Sequence, residues 1–297
     1  MRPQLIPYAE IPNLPAREHD ANKGDCGRIA VIGGSRGMAG APCLAAKAAY
    51  RSGAGLVLVA VPKSIWDVVA SKLDEAQTRG VGGDSAQFFQ ESDVNELKKI
   101  CEWADVLVMG PGMTQSAETV KAVQKIVESC ECPMVLDADA LNAFGRGRAE
   151  LIFASQKKNT RREVVLTPHP GEMARLLNMS TADVQSDRPQ AALACADLTS
   201  AVVVLKGAGT LVCDGKYIFL NRTGNPGMAT GGTGDVLSGV IGGLMGQGMP
   251  AFEAACLGVH LHGLAGDIAA EKRGMWSLIA GDLIDELPAA FLRRVGT

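Results

Sequence analysis

The stretch Asn225-Pro226-Gly227-Met228-Ala229-Thr230-Gly231-Gly232-Thr233-Gly234-Asp235 has the composition of an anion site with an acid at its edge. Its glycines let the backbone turn sharply and present N–H groups, and a helix starting there adds its positive dipole end. Phosphate is the natural guest of such a turn. Asp235 then sits where a carboxylate could take the proton of a hydroxyl that attacks a phosphoryl group. The plainer reading keeps Gly231 to Gly234 as a tight turn and Asp235 as a helix cap, a position that suits Asp. No Lys-Ser or Lys-Thr pair follows these glycines and no complete G-x-G-x-x-G follows the first strand, which speaks against an ordinary P-loop NTPase and a Rossmann dehydrogenase.

Other residues suit the same chemistry. Lys206-Gly207-Ala208-Gly209-Thr210 combines a cation with a flexible turn after a strand, which fits a phosphate-bearing ligand; a turn into a hairpin with Lys206 merely solvated fits too. His169 lies between Pro168 and Pro170, in a rigid loop where a core role is awkward, although a lone histidine is more often satisfied locally. Asp137 and Asp139 follow a central strand and could meet magnesium through water, with helix capping an equal explanation. Glu172 falls in a first helical turn, where the dipole favours an acid. Ala41 and Gly112 alone read as helix-start and turn residues. His260 and His262 are two apart on a helix, hence on different faces, which argues against a shared metal.

These residues need a frame that gathers them. Short apolar runs at Arg28–Ile32, Leu56–Val61, Asp105–Met109, Met134–Leu136, Val164–Thr167 and Val202–Leu205 alternate with helix-like segments, the first of them Ala41–Arg51. The runs are continuous, as expected for strands covered on both faces, and their order predicts a doubly wound, mostly parallel sheet. Leu211–Cys213 and Lys216–Leu220, joined through Asp214 and Gly215, predict a hairpin at one edge. From Asp235 to Val295 the chain reads as helical, with a break at Gly248 and Pro250. The polar segments Ser71–Lys99 and Ser155–Glu163 read as solvated connections and surface helix. In an open parallel sheet ligands gather outside the carboxyl ends of the strands, and each polar or glycine-rich cluster above falls at such an end.

Composition sets the outer bounds. The 297 residues are 47% hydrophobic and 21% charged, those of a globular chain with a sizeable core, and the 35 glycines suggest many tight strand-to-helix turns. A net charge of −3 offers no broad positive field, which argues against nucleic acid and acidic membranes as partners. The eight cysteines lack paired CxxC spacing and read as small core residues in a reducing compartment. The proline-rich start has no apolar h-region, so cytoplasm is the expected location. Val236–Phe252 is uncharged but holds five glycines, and reads as buried helix, too short for a membrane span.

Gly231 to Asp235, preceded by Asn225 to Met228, resembles the anion hole and catalytic aspartate of ribokinase-like proteins, in the form found in the NAD(P)H-hydrate dehydratase family. Further matches occur in family order: Gly33-Gly34-Ser35 with Gly40-Ala41, Arg51 to Leu56, Gly110-Pro111-Gly112, Asp137 to Asn142, Pro168 to Glu172, and Lys206 to Thr210. Together they run from about Lys23 to the C-terminus. The resemblance implies a ribokinase-like three-layer α/β/α fold with a mostly parallel sheet, as one domain over 1–297 without an epimerase domain. It implies an ADP-dependent hydro-lyase that dehydrates the S-form of hydrated NADH and NADPH (NADHX, NADPHX), returning NADH or NADPH with AMP and phosphate.

By the same resemblance Asp235 is catalytic, and Ala41, Gly112, His169 and Asp235 touch the hydrated nicotinamide nucleotide. ADP is held by Lys206, Gly207, Ala208, Gly209, Thr210 and Gly234, with Gly232, Thr233 and Gly234 as anion hole. Mg2+ is the expected cofactor, with ligands unassigned; a homo-oligomer, a tetramer by family analogy, and a separate NAD(P)HX epimerase are the expected partners. A vitamin-precursor kinase of the same fold is the rival enzyme, and a nucleotide sensor without catalysis the rival of another class.

Overall fold

The computed structural model describes residues 3–7, 10–14, 16–145, 147–152 and 162–295. Every expected strand forms, and two more join them, in the order β1 (Gln4–Ile6), β2 (Arg28–Ile32), β3 (Leu56–Pro62), β4 (Gln77–Val81), β5 (Val106–Met109), β6 (Met134–Leu136), β7 (Val164–Leu166), β8 (Val202–Leu205), β9 (Leu211–Cys213) and β10 (Tyr217–Leu220). They make one sheet of ten strands in the order β1-β10-β9-β8-β7-β6-β5-β2-β3-β4. Only β9 runs antiparallel to its neighbours, β8 and β10. The chain reverses through Asp214, whose carboxylate accepts the amides of Lys216 and Tyr217, with Gly215 at φ +91°.

The helices are α1 (Gly40–Arg51), α2 (Trp66–Ala70), α3 (Val94–Trp103), α4 (Ala117–Ser129), α5 (Asp139–Asn142), α6 (Pro170–Leu177), α7 (Thr181–Ser186), α8 (Arg188–Thr199), α9 (Thr233–Gly246), α10 (Ala251–Arg273) and α11 (Ala280–Val295). Alternate strand residues feed two separate cores, because successive side chains of a strand point to opposite faces. Ile29, Val31, Val57, Val59, Val108 and Val135 pack with α1, α9, α10 and α11. Ala30, Ile32, Leu107, Met109, Leu136 and Leu166 pack with α3, α4, α6 and α8. The result is a three-layer sandwich.

Two features depart from the expectations. Within Ser71–Lys99, read as solvated, Gln77–Val81 is a strand pairing with β3 in the register Val59↔Thr78. It is a sheet edge, so one face and one side meet water and only Val81 is buried within it; polar residues suffice, and apolar patterning misses it. The N-terminal segment supplies β1, parallel to β10, in a stretch with no strand signature. The other polar segment, Ser155–Glu163, lies mostly outside the described residues.

The helical C-terminal part divides where expected, with Gly248 at φ +84° and Pro250 before α10. The glycines of α9 are a packing device and not turn formers. A methyl group on Gly243 would stand 2.7 Å from the Ala49 carbonyl oxygen of α1, and one on Gly242 or Gly246 would strike Val108 or Ile29 of the sheet. Helix α9 therefore lies close on the central strands, wedged against α1. Among the described residues no helix is long and apolar enough to cross a membrane.

Candidate functional site

Because β8, β7, β6, β5 and β2 are neighbours, the residues after them line one edge of the sheet: Lys206, Thr167 to Glu172, Asp137 to Asp139, Gly110 to Gly112, and Gly33-Gly34. Connections turn opposite ways on either side of the β2–β5 pair, making this the switch point where open α/β sheets hold ligands. The start of α9 arrives at the same edge. A methyl on Gly234 would lie 3.2 Å from Lys206 Nζ and 3.8 Å from Asp137 Oδ2.

The glycine-rich turn is built as an amide cradle. Gly232 is the N-cap of α9 at φ +94°, a left-handed conformation that glycine adopts without strain. The first closed helical bond runs from the Val236 amide to the Gly232 carbonyl at 3.1 Å, so the amides of Thr233, Gly234 and Asp235 have no acceptor inside the helix. Thr233 Oγ1 donates to the carbonyls of Met228 (3.2 Å) and Thr230 (3.1 Å), closing the turn. Helix α10 forms its floor. Asn225 Nδ2 donates to the Gly266 carbonyl (2.9 Å) and to Asp267 Oδ1 (3.0 Å), the Gly224 amide to Asp267 Oδ2 (2.9 Å), and Thr223 Oγ1 to the His260 carbonyl (2.9 Å). The His262 Nε2 lies 2.9 Å from the Thr233 carbonyl oxygen.

Beside this turn a lysine holds a group of carboxylates. Lys206 Nζ pairs with Asp137 Oδ1 at 2.7 Å and stands 3.8 Å from Glu172 Oε2, and Thr167 Oγ1 donates to the same Asp137 oxygen at 2.8 Å. With its side chain 18% exposed and so engaged, Lys206 is not a solvated turn residue. Burial pulls its ammonium down, and Asp137, Glu172 and Asp235 override that pull and hold its pKa above the ordinary lysine value. Asp235 is the third residue of α9, not its cap. Burial, then repulsion from Asp137, lifts its carboxyl to about 7; Lys206 opposes the shift, while Asp139 and Glu172 add to it. Burial likewise raises Glu172.

His169 caps α6: its Nδ1 accepts the amides of Gly171 (3.0 Å) and Glu172 (3.2 Å), and Glu172 Oε2 accepts the His169 amide (2.8 Å), a reciprocal box. Accepting at Nδ1 keeps the ring neutral, as does its lowered pKa, caused by burial and then by Lys206 and Arg175. The ring is half exposed and joins the lysine cluster through Glu172. Ala138, at φ +50°, turns the backbone between Asp137 and Asp139, so that Asp139 Oδ2 accepts the Thr114 amide (2.8 Å) while Asp137 faces Lys206. Thr114 itself has φ +78°. Left-handed non-glycine residues cost energy and cluster at functional sites.

Ala41 and Gly112 meet across the switch point. A methyl on Gly112 would sit 3.1 Å from the Ala41 Cβ and 3.0 Å from Met38. The Lys206–Thr210 turn is fixed by the Lys206 amide on the Pro168 carbonyl (2.9 Å) and Thr210 Oγ1 on the Gly207 carbonyl (2.9 Å). Sequence reasoning missed Arg188, whose Nη2 donates to the carbonyls of Leu205 (3.0 Å), Lys206 (3.2 Å) and Gly209 (3.4 Å). It also missed Thr167, and treated His262 only as a metal candidate. His260 is not part of the site; its neighbourhood holds Arg294. Among the described residues no three His, Cys, Asp or Glu side chains are arranged to hold a metal ion. Magnesium, which keeps waters and rides on phosphates, needs no such cage.

A family model described as NAD(P)H-hydrate dehydratase matches residues 29–289. The bifunctional NAD(P)H-hydrate repair enzyme of Moorella thermoacetica is 44% identical over 277 residues, 93% of this chain and 51% of that protein. The chain thus spans about half the length of the curated relatives of this kind that it matches. The ADP-dependent (S)-NAD(P)H-hydrate dehydratase of Neisseria meningitidis is 39% identical, over 90% of this chain and 86% of that protein. The crystal structure of the ADP/ATP-dependent NAD(P)H-hydrate dehydratase of Bacillus subtilis, co-crystallised with ATP and Mg2+, superposes with a TM-score of 0.82 at 28% identity and covers 99% of both chains. A hydroxyethylthiazole kinase of Pyrococcus horikoshii reaches 0.59 at 17% identity, a likeness of the ribokinase-like fold alone. With this architecture, the amide cradle, and Asp235 beside it, the chain belongs to the NAD(P)H-hydrate dehydratase family.

Proposed function

We propose that the protein dehydrates the S-form of hydrated NADH and NADPH at the expense of ADP, regenerating the nicotinamide nucleotide with AMP and phosphate. One observation carries the reading: a carboxyl with a pKa of about 7, Asp235, stands at the open amide end of α9 next to a partly buried, ion-paired lysine. A base poised near neutrality is suited to taking a hydroxyl proton at physiological pH.

Hydration leaves a hydroxyl on the nicotinamide ring, and hydroxide is a poor leaving group. Asp235 accepts the hydroxyl proton as the hydroxyl oxygen attacks the terminal phosphorus of ADP, and the bond to AMP breaks. The amides of Thr233 and Gly234 and the Lys206 ammonium meet the charge on the transferring phosphoryl group. Loss of phosphate and of a ring proton then restores the double bond. Lys206 to Thr210 with Gly234 hold the nucleotide; Ala41, Gly112 and His169 receive the hydrate, the first two by leaving space. Mg2+ would sit on the nucleotide phosphates, reached through water by Asp137 and Asp139, and would neutralise phosphate charge. ADP as donor follows the ADP-dependent Neisseria relative, and the Bacillus one is ADP/ATP-dependent. Because one stereoform is consumed, an epimerase acting on the other form belongs beside this reaction. A homo-oligomer working in the cytoplasm completes the reading.

The test is to add purified protein and ADP or ATP to hydrated NADH and follow the return of NADH absorbance. Recovery that needs nucleotide, with phosphate released in equal amount, is expected. Nucleotide consumption with a phosphorylated vitamin precursor as product, and no NADH, would assign a kinase; binding without consumption would assign a sensor.

A further inference from the structure

We infer that His262 is a positioning residue of the anion site, its Nε2–H donating to the Thr233 carbonyl and, through that peptide group, strengthening the Gly234 amide as a donor to the transferring phosphoryl group. The inference rests on the reading of the α9 start as the phosphoryl site. The Thr233 carbonyl and the Gly234 amide are the two ends of one peptide unit, and Gly234 is the residue that approaches Lys206 Nζ. A hydrogen bond accepted at the carbonyl polarises the unit and makes its N–H more positive.

Three further observations separate this contact from ordinary packing. The loop before the cradle is already fastened to α10 by Thr223, Asn225 and Asp267, through contacts at residues 223–225. His262 reaches past them to the first peptide of α9. The ring is buried, with the residue 9% exposed, so water cannot take its place at the carbonyl. Burial also pushes its pKa down to about 4, which keeps it neutral. A carbonyl oxygen only accepts, so the single ring proton belongs on Nε2.

The inference is tested first on the unaltered protein. Nitrogen-15 NMR of labelled histidine should place the His262 proton on Nε2; a proton on Nδ1 would overturn it. His262→Phe and His262→Gln then divide size from donor capacity. The phenylalanine variant should lose about tenfold in kcat, less than the roughly 10²-fold or more expected for removing a donor outright, with the KM for ADP changed less than about twofold. Its Gly234 amide proton should move upfield. The glutamine variant, which keeps an N–H, should recover kcat to within about threefold of the parent. A folded phenylalanine variant with unchanged kcat, or a glutamine variant no better than phenylalanine, would reduce His262 to packing. Should the parent protein return no NADH from the hydrate, the functional reading falls alone, and the tautomer and the Gly234 resonance still decide the role of His262.

Discussion

The side of the site between β6 and β8 is held by charge, and the side between β2 and β5 by the absence of side chains. On the first, Lys206 stands among Asp137, Glu172 and Asp235, and Thr167 and the α6 cap fix two of these carboxylates. On the second, Ala41 and Gly112 face each other so closely that a methyl group added to Gly112 would crowd Ala41 and Met38. Charge can act on a phosphoryl group as bonds change, whereas an uncharged, shallow wall can only admit or refuse a ligand by shape. Changes on the charged side should therefore alter kcat, pH dependence and donor binding, and changes on the small-residue side the KM of the hydrate.

The sharpest break of this contrast is Asp235→Asn. Loss of the base should lower kcat by about 10³-fold while the affinity for ADP stays within a few-fold, measured by steady-state kinetics and calorimetry. The same change has a stability signature. The Asp235 pKa is raised to about 7 in the folded protein, so the native state binds this proton more tightly than the unfolded chain does. Its contribution to stability thus falls as pH rises from about 4 to about 7, and the penalty persists above. The asparagine variant should melt higher than the parent at pH 8, and that gain should vanish at pH 4. An acid whose ionisation destabilises the fold is the kind of group that clusters at functional sites.

Lys206→Ala comes next. Loss of a charge-assisted contact should weaken ADP binding by about 10- to 100-fold. It should also move the acid limb of kcat/KM. In the parent that limb should fall near pH 7, where Asp235 gains its proton; Lys206 lowers the Asp235 pKa, so its removal should carry the limb to higher pH. A limb that stayed in place would mean that another group controls it. On the opposite side Gly112→Ala should raise the KM of the hydrate about tenfold with kcat and ADP affinity unchanged. The added methyl would crowd Met38 and Ala41, and the φ of +67° would cost about 1 kcal/mol of stability in any residue with a Cβ.

The legibility of the molecule follows the same division. The strands β2, β5, β6 and β8 were readable because burial on both faces demands unbroken apolar runs, and β4 was not, because an edge strand needs none. Asp235 and Lys206 were readable as candidates because they stand in glycine-rich turns after strands. Their mutual distance was not, since it depends on how closely α9 lies on the sheet, which Gly242 and Gly246 set through Val108 and Ile29. The glycine count pointed to turns, while in α9 it reports close packing. His262 and Arg188 were illegible for a common reason: each acts on a backbone carbonyl far along the chain, and a carbonyl carries no side-chain signature.

Arg188 provides the smallest test and the finest one. Its guanidinium reaches three carbonyls around the Lys206–Thr210 turn and also meets Gln185, and burial lowers its pKa. The residue braces the turn that carries Lys206 and does not itself belong to the charged cluster. Arg188→Ala should therefore raise the KM for ADP by about three- to fivefold and lower Tm by a few degrees, for the roughly 1 kcal/mol of lost hydrogen bonding. The acid limb should stay at the parent position, because the Asp235 carboxyl is set by burial, then by Asp137 and Lys206. Arg188→Lys should not rescue the nucleotide KM, since an ammonium lacks the planar fork that spans Leu205, Lys206 and Gly209. A limb that moved in either variant would show that the turn and the base are coupled through Lys206, and that the charged side of the site works as one unit.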